Sequence, residues 1–283
     1  PMKTAKHFLQ SACTMVLFSA VTLCSWAQPT PGPDQSRSIL ILGATAHLGT
    51  GDVLEDCAVG FRNGEIDYVG RSFQVNRQKY DDILDATGQH LYPGFIVTNT
   101  TLGLQEIGAV RATQDQYEVG TFRPNVRSVI AFNTDSEITP TVRTNGVLMG
   151  QITPRGGVVS GSSGVVHFDG WNWEDAAIAM VDGIHLNWPS THHRHRSDGK
   201  IDIQRRKTYD QQKHEIERFF GEAQAYASAP RGTVTDVRHE GMRGLFDGSL
   251  CLYVHTNDAR AITEAVHFKR DLGIERMAIV GGY

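Results

Sequence analysis

Short apolar runs separated by polar turns fill residues 39–92, and this pattern predicts the strands of a small β-sheet. Two of the runs, 57–61 and 66–70, flank the dipeptide Asn-Gly at positions 63–64. Both of these turn residues tolerate positive φ, so the pattern predicts a tight β-hairpin. A further run over 83–92 predicts one more strand before the pattern changes.

Beyond residue 92, short apolar runs alternate with longer amphipathic segments. The runs predict strands over Val147–Thr153, Val165–Phe168, Ile184–Trp188, Leu250–His255 and Met277–Val280. Helical spacing of apolar residues predicts helices over Tyr209–Ala227, Asp236–Phe246 and Asp258–Leu272. The first of these helices is expected to bury Ile216, Phe219, Phe220, Ala223 and Tyr226; the last, Ile262, Ala265, Val266 and Leu272. Alternating strands and helices are typical of parallel βα units, so we expect an α/β fold.

The first 27 residues have the pattern of a secretory signal peptide. A basic start precedes an apolar run over 15–26, which ends near the small residues Ser25 and Ala27. A membrane anchor is the alternative, but the run is shorter than the ~20 apolar residues of a spanning helix. We therefore expect cleavage after Ala27, export to the periplasm or the medium, and no stable membrane insertion. A polar, Pro-rich linker is expected over 28–38.

The charge and the cysteine content indicate which partners and which cysteine chemistry to expect. The net charge is −4 and both signs are mixed along the chain, so no basic stripe points to a nucleic acid. Two cysteines, Cys57 and Cys251, follow the predicted cleavage point, and both lie in apolar strand-like runs. Buried thiols are therefore expected rather than a disulfide bridge.

The sequence Tyr-Pro-Gly-Phe-Ile-Val-Thr-Asn-Thr-Thr-Leu-Gly-Leu over 92–104 resembles the first barrel strand of the amidohydrolase superfamily, which usually reads P-G-F-I-D-x-H-x-H-L-G. Further matches follow in order, and they resemble an exported, imidazolonepropionase-like group. They are Leu102-Gly103-Leu104-x-Glu106, Thr153-Pro154-Arg155-Gly156-Gly157, Gly161, Asp169-Gly170-Trp171-x-Trp173-Glu174-Asp175 and Val254-His255.

This resemblance implies a fold and a domain organisation. Residues 93–283 would form a (β/α)₈ TIM-type barrel, and residues 39–92 would form part of a small β-sandwich that precedes it. A complete barrel needs ~250 residues, so the barrel is expected to be incomplete and truncated at its C-terminus. The resemblance also implies one or two divalent metal ions at the barrel mouth, held by the H-x-H pair and later ligands.

The metal ligands that the family places on the first strand are replaced in this chain. Asn99 and Thr101 stand at the two histidine positions, and Val97 stands at the usual aspartate. His255 matches the fifth-strand histidine and is the tentative metal ligand. Zinc takes three or four N, O or S ligands, so a zinc ion is expected to be substoichiometric or absent.

The remaining candidates have open alternatives. Asn99 could supply its amide to a substrate or a hard cation, or it could satisfy backbone groups at the strand end. His185 lies in an apolar strand and could replace a ligand, although such a histidine is more often a hydrogen-bonded core residue. The Gly-rich segments 155–157 and 160–164 are expected to be loops that could approach an anion. The tract His192–His195 favours adventitious metal binding.

Two classes of function follow from these residues. The first is an exported hydrolase of the amidohydrolase type that acts on the C–N bond of a small non-peptide or peptide-like substrate. The alternative is a metal-free pseudoenzyme or a small-molecule binding module. Asn99 and Thr101 favour the alternative, whereas the retained His255 favours the hydrolase. In either case the expected partner is a small molecule.

Overall fold

The computed structural model describes residues 31–197, 200–230, 232 and 235–283, without the side chains of 193–197 and 200–202. The predicted signal peptide over 1–27 and the start of the predicted linker lie outside the described residues. Within the described residues, the helices are too short or too polar to cross a membrane.

The N-terminal part forms one five-stranded sheet, and its place in a β-sandwich stays a prediction. Its strands are β1 (Ile39–His47), β2 (Val53–Arg62), β3 (Glu65–Arg71), β4 (Asp82–Asp85) and β5 (His90–Leu91). They lie in the order β3-β2-β1-β4, and β5 pairs with β1. The turn between β2 and β3 has Asn63 at φ 54° and Gly64 at φ 77°, so the hairpin prediction is confirmed.

The strands after residue 94 form a six-stranded sheet and a separate two-stranded hairpin. The strands are β6 (Phe95–Thr100), β7 (Val147–Ile152), β8 (Val159–His167), β9 (Ala177–Asn187), the hairpin β10 (His192–Ser197) and β11 (Lys200–Arg205), β12 (Cys251–Thr256) and β13 (Met277–Gly281). The large sheet has the order β13-β12-β9-β8-β7-β6. Helices follow or cover these strands.

The helices are α1 (Ile138–Thr144), α2 (Trp173–Ala176), α3 (Tyr209–Ser228), α4 (Val237–Glu240), α5 (Arg243–Phe246) and α6 (Ala259–Asp271), with 3₁₀ turns at Arg77–Lys79, Arg111–Thr113 and Ser128–Ala131. The helix predicted over 236–246 is in fact two short helices, because Gly241 ends the first. Helix α3 buries the predicted Ile216, Phe219, Phe220 and Ala223, whereas the predicted Tyr226 is only partly buried. The inner face predicted for α6 was partly wrong: Ala261, Ala265 and Phe268 are buried, and Val266 is exposed.

The expectation of parallel βα units holds for only part of the sheet. Strands β6 and β7, β9 and β12, and β12 and β13 pair in parallel, but β8 runs antiparallel to both β7 and β9. Only residues 153–158 connect β7 to β8. A parallel crossover needs about a dozen residues, so this connection permits only an antiparallel return.

The segment Ser160–Gly164, which was predicted to be a Gly-rich loop, lies inside β8 and is buried. Its glycines allow close approach of a neighbouring strand. A Cβ on Gly164 would lie 2.5 Å from the carbonyl oxygen of Ala179 on β9. The pattern therefore marks a close backbone contact within the sheet.

The two faces of strands β9 and β12 differ in chemistry. Ile184 and Leu186 on β9, with Leu252 and Val254 on β12, join the largest apolar core together with residues of α3 and α6. Side chains alternate along a strand, so the residues between them lie on the opposite face. On that face of β9 and β12 the chain carries polar and aromatic side chains.

Cys57 and Cys251 are both free and buried, which confirms the prediction of buried thiols.

Candidate functional site

Strand register brings His185 and His255 together. On the parallel pair β9 and β12, His185 lies opposite Tyr253, and His255 lies opposite Asn187. The two histidines are therefore diagonal neighbours on one face of the sheet, and the Nδ1 of His185 lies 2.8 Å from the Nε2 of His255. The imidazole of His185 also stacks on the ring of Tyr253, with centroids 4.8 Å apart.

Asp182 accepts three hydrogen bonds from side chains of this cluster. Its Oδ1 accepts from the hydroxyl of Ser163 at 2.6 Å, and its Oδ2 accepts from the hydroxyl of Tyr253 at 2.8 Å and from the Gln151 amide at 2.7 Å. Desolvation, followed by the bond to Asp182, raises the pKa of Tyr253, so this phenol stays protonated. Ser163 lies opposite Gly183 in the β8–β9 register, which places its Oγ 2.7 Å from the Nε2 of His185.

Burial determines the charge state of the histidine pair. His185 is fully buried, and desolvation, together with the charges of His255 and Arg155, lowers its pKa to about 2. His255 is half-buried, and desolvation followed by the charge of Arg155 lowers its pKa to about 4. Both rings are therefore neutral at pH 7, and each carries a single N–H.

Arg155 is the cation beside these rings, and Asn99 holds it in place. Its Nη1 donates to the Oδ1 of Asn99 at 2.5 Å, and its Nη2 donates to the Asn99 carbonyl at 2.7 Å. Within the described part of the chain, no carboxylate forms an ion pair with Arg155. Burial lowers the pKa of this guanidinium, but a guanidinium remains charged in proteins. The site therefore holds a fixed positive charge, and within the described residues the Arg155 side chain donates only to Asn99.

Asn99 takes an unusual backbone conformation to make these contacts. Its φ is 52°, in the left-handed region that asparagine tolerates better than most residues. The pairing of β6 with β7 is irregular between Val97 and Thr100, and the Asn99 N–H donates to the Oε1 of Gln151 at 3.0 Å. Asn99 thus links the Arg155 guanidinium to the Gln151–Asp182 cluster.

Thr101 does not take part in this cluster through a hydrogen bond. It follows the end of β6, and its carbonyl accepts from the N–H groups of Leu104 and Gln105. The predicted set of Asn99, Thr101, His185 and His255 is therefore divided. The two histidines touch, Asn99 reaches them through other side chains, and Thr101 shapes the turn after the strand.

Two further predicted features are the Gly-rich segment that begins at Arg155 and the His192–His195 tract. The Arg155-Gly156-Gly157 segment is held by Arg123, whose guanidinium donates to the carbonyls of Arg155 and Gly156 at 3.1 and 2.6 Å. The His192–His195 tract lies on β10, and its side chains beyond His192 are outside the described residues.

Five features of the site were not predicted from the sequence: Gln151, Ser163, Asp182, Tyr253 and the role of Arg155. A signal was present for some of them. Tyr253 and His255 are two residues apart in a strand that is otherwise apolar, so they share a face. A polar pair with strand periodicity on a buried strand marks side chains that need partners.

The donor set does not fit the zinc ion that the resemblance implies. No group of three or more His, Cys, Asp or Glu that could hold a metal is present among the described residues. His185 uses both ring nitrogens in hydrogen bonds, so at most the Nδ1 of His255 has a free lone pair. Zinc takes three or four ligands, so one free lone pair is too few. The positive charge of Arg155 would also repel a zinc cation. The expectation of little or no zinc remains a prediction.

Comparisons with known proteins identify the fold. Neither a protein-family model nor a curated protein matches the chain. Among solved structures, the chain resembles an amidohydrolase from Thermotoga maritima MSB8 with a TM-score of 0.69 and 21% identity, over 86% of this chain and 64% of that one. The chain thus spans under two thirds of that protein's length, and it has an amidohydrolase-type α/β fold.

Two other structures are more distant. They are a protein assigned as a prolidase from Bifidobacterium longum, with 12% identity and a TM-score of 0.31 over 82% of this chain and 52% of that one, and a molinate hydrolase, with 13% identity and a TM-score of 0.33 over 82% and 56%. Scores this low carry no structural argument.

Proposed function

We propose that this protein binds a small carboxylate-bearing molecule beside the polar face of strands β9 and β12, through Arg155 and His255 and without a zinc ion. The observation that carries the proposal is the Arg155 guanidinium, which Asn99 fixes beside two neutral imidazoles. A guanidinium presents a planar fork of N–H donors that matches a carboxylate. No described carboxylate neutralises it, so an anionic ligand would supply the missing charge.

Titration with a simple carboxylate tests this proposal. Sodium acetate, with sodium chloride as the ionic-strength control, is expected to bind with a Kd in the millimolar range, about −4 kcal/mol. Arg155→Met should abolish the binding. Arg218→Met, on the exposed side of α3, is the matched control and should leave it unchanged. Equal binding by Arg155→Met, or no carboxylate effect at all, would contradict the proposal.

Hydrolysis is the second candidate function, and one observation favours it. His255 is connected through His185 and Ser163 to the Asp182 carboxylate, an arrangement that could hold a general base in one orientation. In this proposal the chain belongs with the imidazolonepropionase-like amidohydrolases and acts on a C–N bond of a small substrate. Turnover of a panel of small amides that is lost in His255→Ala would support it.

Export is a separate proposal. The basic start, the short apolar run and Ser25-x-Ala27 support cleavage before Gln28. N-terminal sequencing of the protein recovered from the periplasm or the medium should read Gln-Pro-Thr. A mature protein that still begins at Met2 would exclude the cleavage.

A further inference from the structure

The direction of each hydrogen bond in the histidine cluster follows from the charge of Asp182. As a carboxylate, Asp182 only accepts. Ser163 has one hydroxyl proton, and its Oγ lies 2.6 Å from the Oδ1 of Asp182, so this proton is directed to the carboxylate. The Ser163 Oγ must then accept from the Nε2–H of His185, which is 2.7 Å away.

The same reasoning extends to the second ring. A neutral His185 that carries its proton on Nε2 has a lone pair on Nδ1. The facing Nε2 of His255, at 2.8 Å, must therefore be the donor. His185 is fully buried and stacked on Tyr253, and its described contacts include no carboxylate that would favour a second proton.

We propose that Asp182, Ser163 and His185 are positioning residues that fix the tautomer of His255, so that His255 carries its proton on Nε2 and offers the lone pair of Nδ1 to a ligand. Within the described residues, no group donates to this Nδ1. The ligand would therefore meet the N–H donors of Arg155 and an acceptor on His255.

This arrangement specifies the ligand more closely, and to that extent it rests on the proposed carboxylate-binding function. A carboxylate oxygen pairs with Arg155, but it cannot hydrogen-bond to a bare ring nitrogen. The preferred ligand would carry a hydroxyl or another donor next to its carboxylate. Glycolate is therefore expected to bind about fivefold more tightly than acetate, because one additional hydrogen bond forms.

Nitrogen NMR of ¹⁵N-histidine-labelled protein at pH 7 tests the tautomer without any ligand, because protonated and bare ring nitrogens differ in chemical shift. Wild type should show His255 and His185 both protonated at Nε2. Ser163→Ala removes the acceptor for His185, and Asp182→Ala leaves the Ser163 hydroxyl free to donate to His185. Both variants should move a large fraction of His255 to the Nδ1-protonated form and abolish the preference for glycolate.

The matched control is Tyr253→Phe, which keeps the stacked ring and removes a different donor to Asp182. It should retain the wild-type tautomers, so it separates a general loss of packing from loss of the hydrogen-bond chain. A wild-type His255 protonated at Nδ1, or a tautomer unchanged in both Ser163→Ala and Asp182→Ala, would overturn the inference. If the tautomers are as stated but neither acetate nor glycolate binds, the carboxylate-binding function fails and the tautomer assignment stands.

Discussion

The hydrogen bond between the Asn99 side chain and Arg155 can be measured by comparing how much alanine destabilises the protein at Asn99 and at Asn63. Asn99 and Asn63 have nearly the same left-handed backbone, with φ of 52° and 54°. Alanine at such a position costs about 1 kcal/mol in backbone strain. Only Asn99 also accepts from a guanidinium, at 2.5 Å through its side chain. A hydrogen bond to a charged group contributes about 1.5 kcal/mol or more.

Asn63→Ala is therefore expected to lower the free energy of unfolding by about 1 kcal/mol, and Asn99→Ala by about 2.5 kcal/mol. Asn99→Gly, which relieves the backbone but still loses the side chain, should cost about 1.5 kcal/mol. Denaturant unfolding of the three variants gives these values. In a domain of this size, 2.5 kcal/mol corresponds to a fall in Tm of about 5–10 °C. Equal costs at the two sites would show that Asn99 does not hold Arg155.

Two further predictions concern acid and packing. In the unfolded chain a histidine binds a proton below its usual pKa of 6.5, whereas in the folded protein the pKa of His255 is about 4. The unfolded state therefore binds more protons between these values, so stability should fall as the pH drops from 6.5 to 4. The part due to His255, roughly 2 kcal/mol after allowance for its partial exposure, should be missing in a His255→Gln unfolding series. Gly164→Ala should cost about 2 kcal/mol because its Cβ would meet the Ala179 carbonyl at 2.5 Å. Gly221→Ala, in open space on α3, should instead stabilise by about 0.5–1 kcal/mol in the same assay.

Local chemistry made much of the fold predictable from sequence. The Asn63-Gly64 hairpin depends on turn residues that accept positive φ. The buried face of α3 depends on the helical spacing of its apolar residues. The antiparallel course of β8 was harder to predict, because a buried glycine in a strand and a glycine in a loop look alike in sequence. Only the close approach of Gly164 to the backbone of β9 in the structure distinguishes the strand from a loop.

The candidate site was predictable only in part. Sequence resemblance selected His255, and strand position drew attention to His185, but their contact depends on the register between β9 and β12. Asp182 and Ser163 come from separate strands, so no local pattern could place them together. Arg155 was seen only as part of a Gly-rich segment, since its contact with Asn99 joins residues 56 positions apart.

We propose that Arg155 and the hydrogen-bonded histidine pair occupy the position where the resemblance implies a metal centre, and that no zinc ion is held there. Zinc content after expression with added zinc and dialysis against a weak chelator tests it most directly, with His255→Ala measured in parallel to locate any bound ion. Wild type is expected to hold well below one zinc per chain, and His255→Ala the same amount. About one tightly held zinc per chain that is lost in His255→Ala would contradict it.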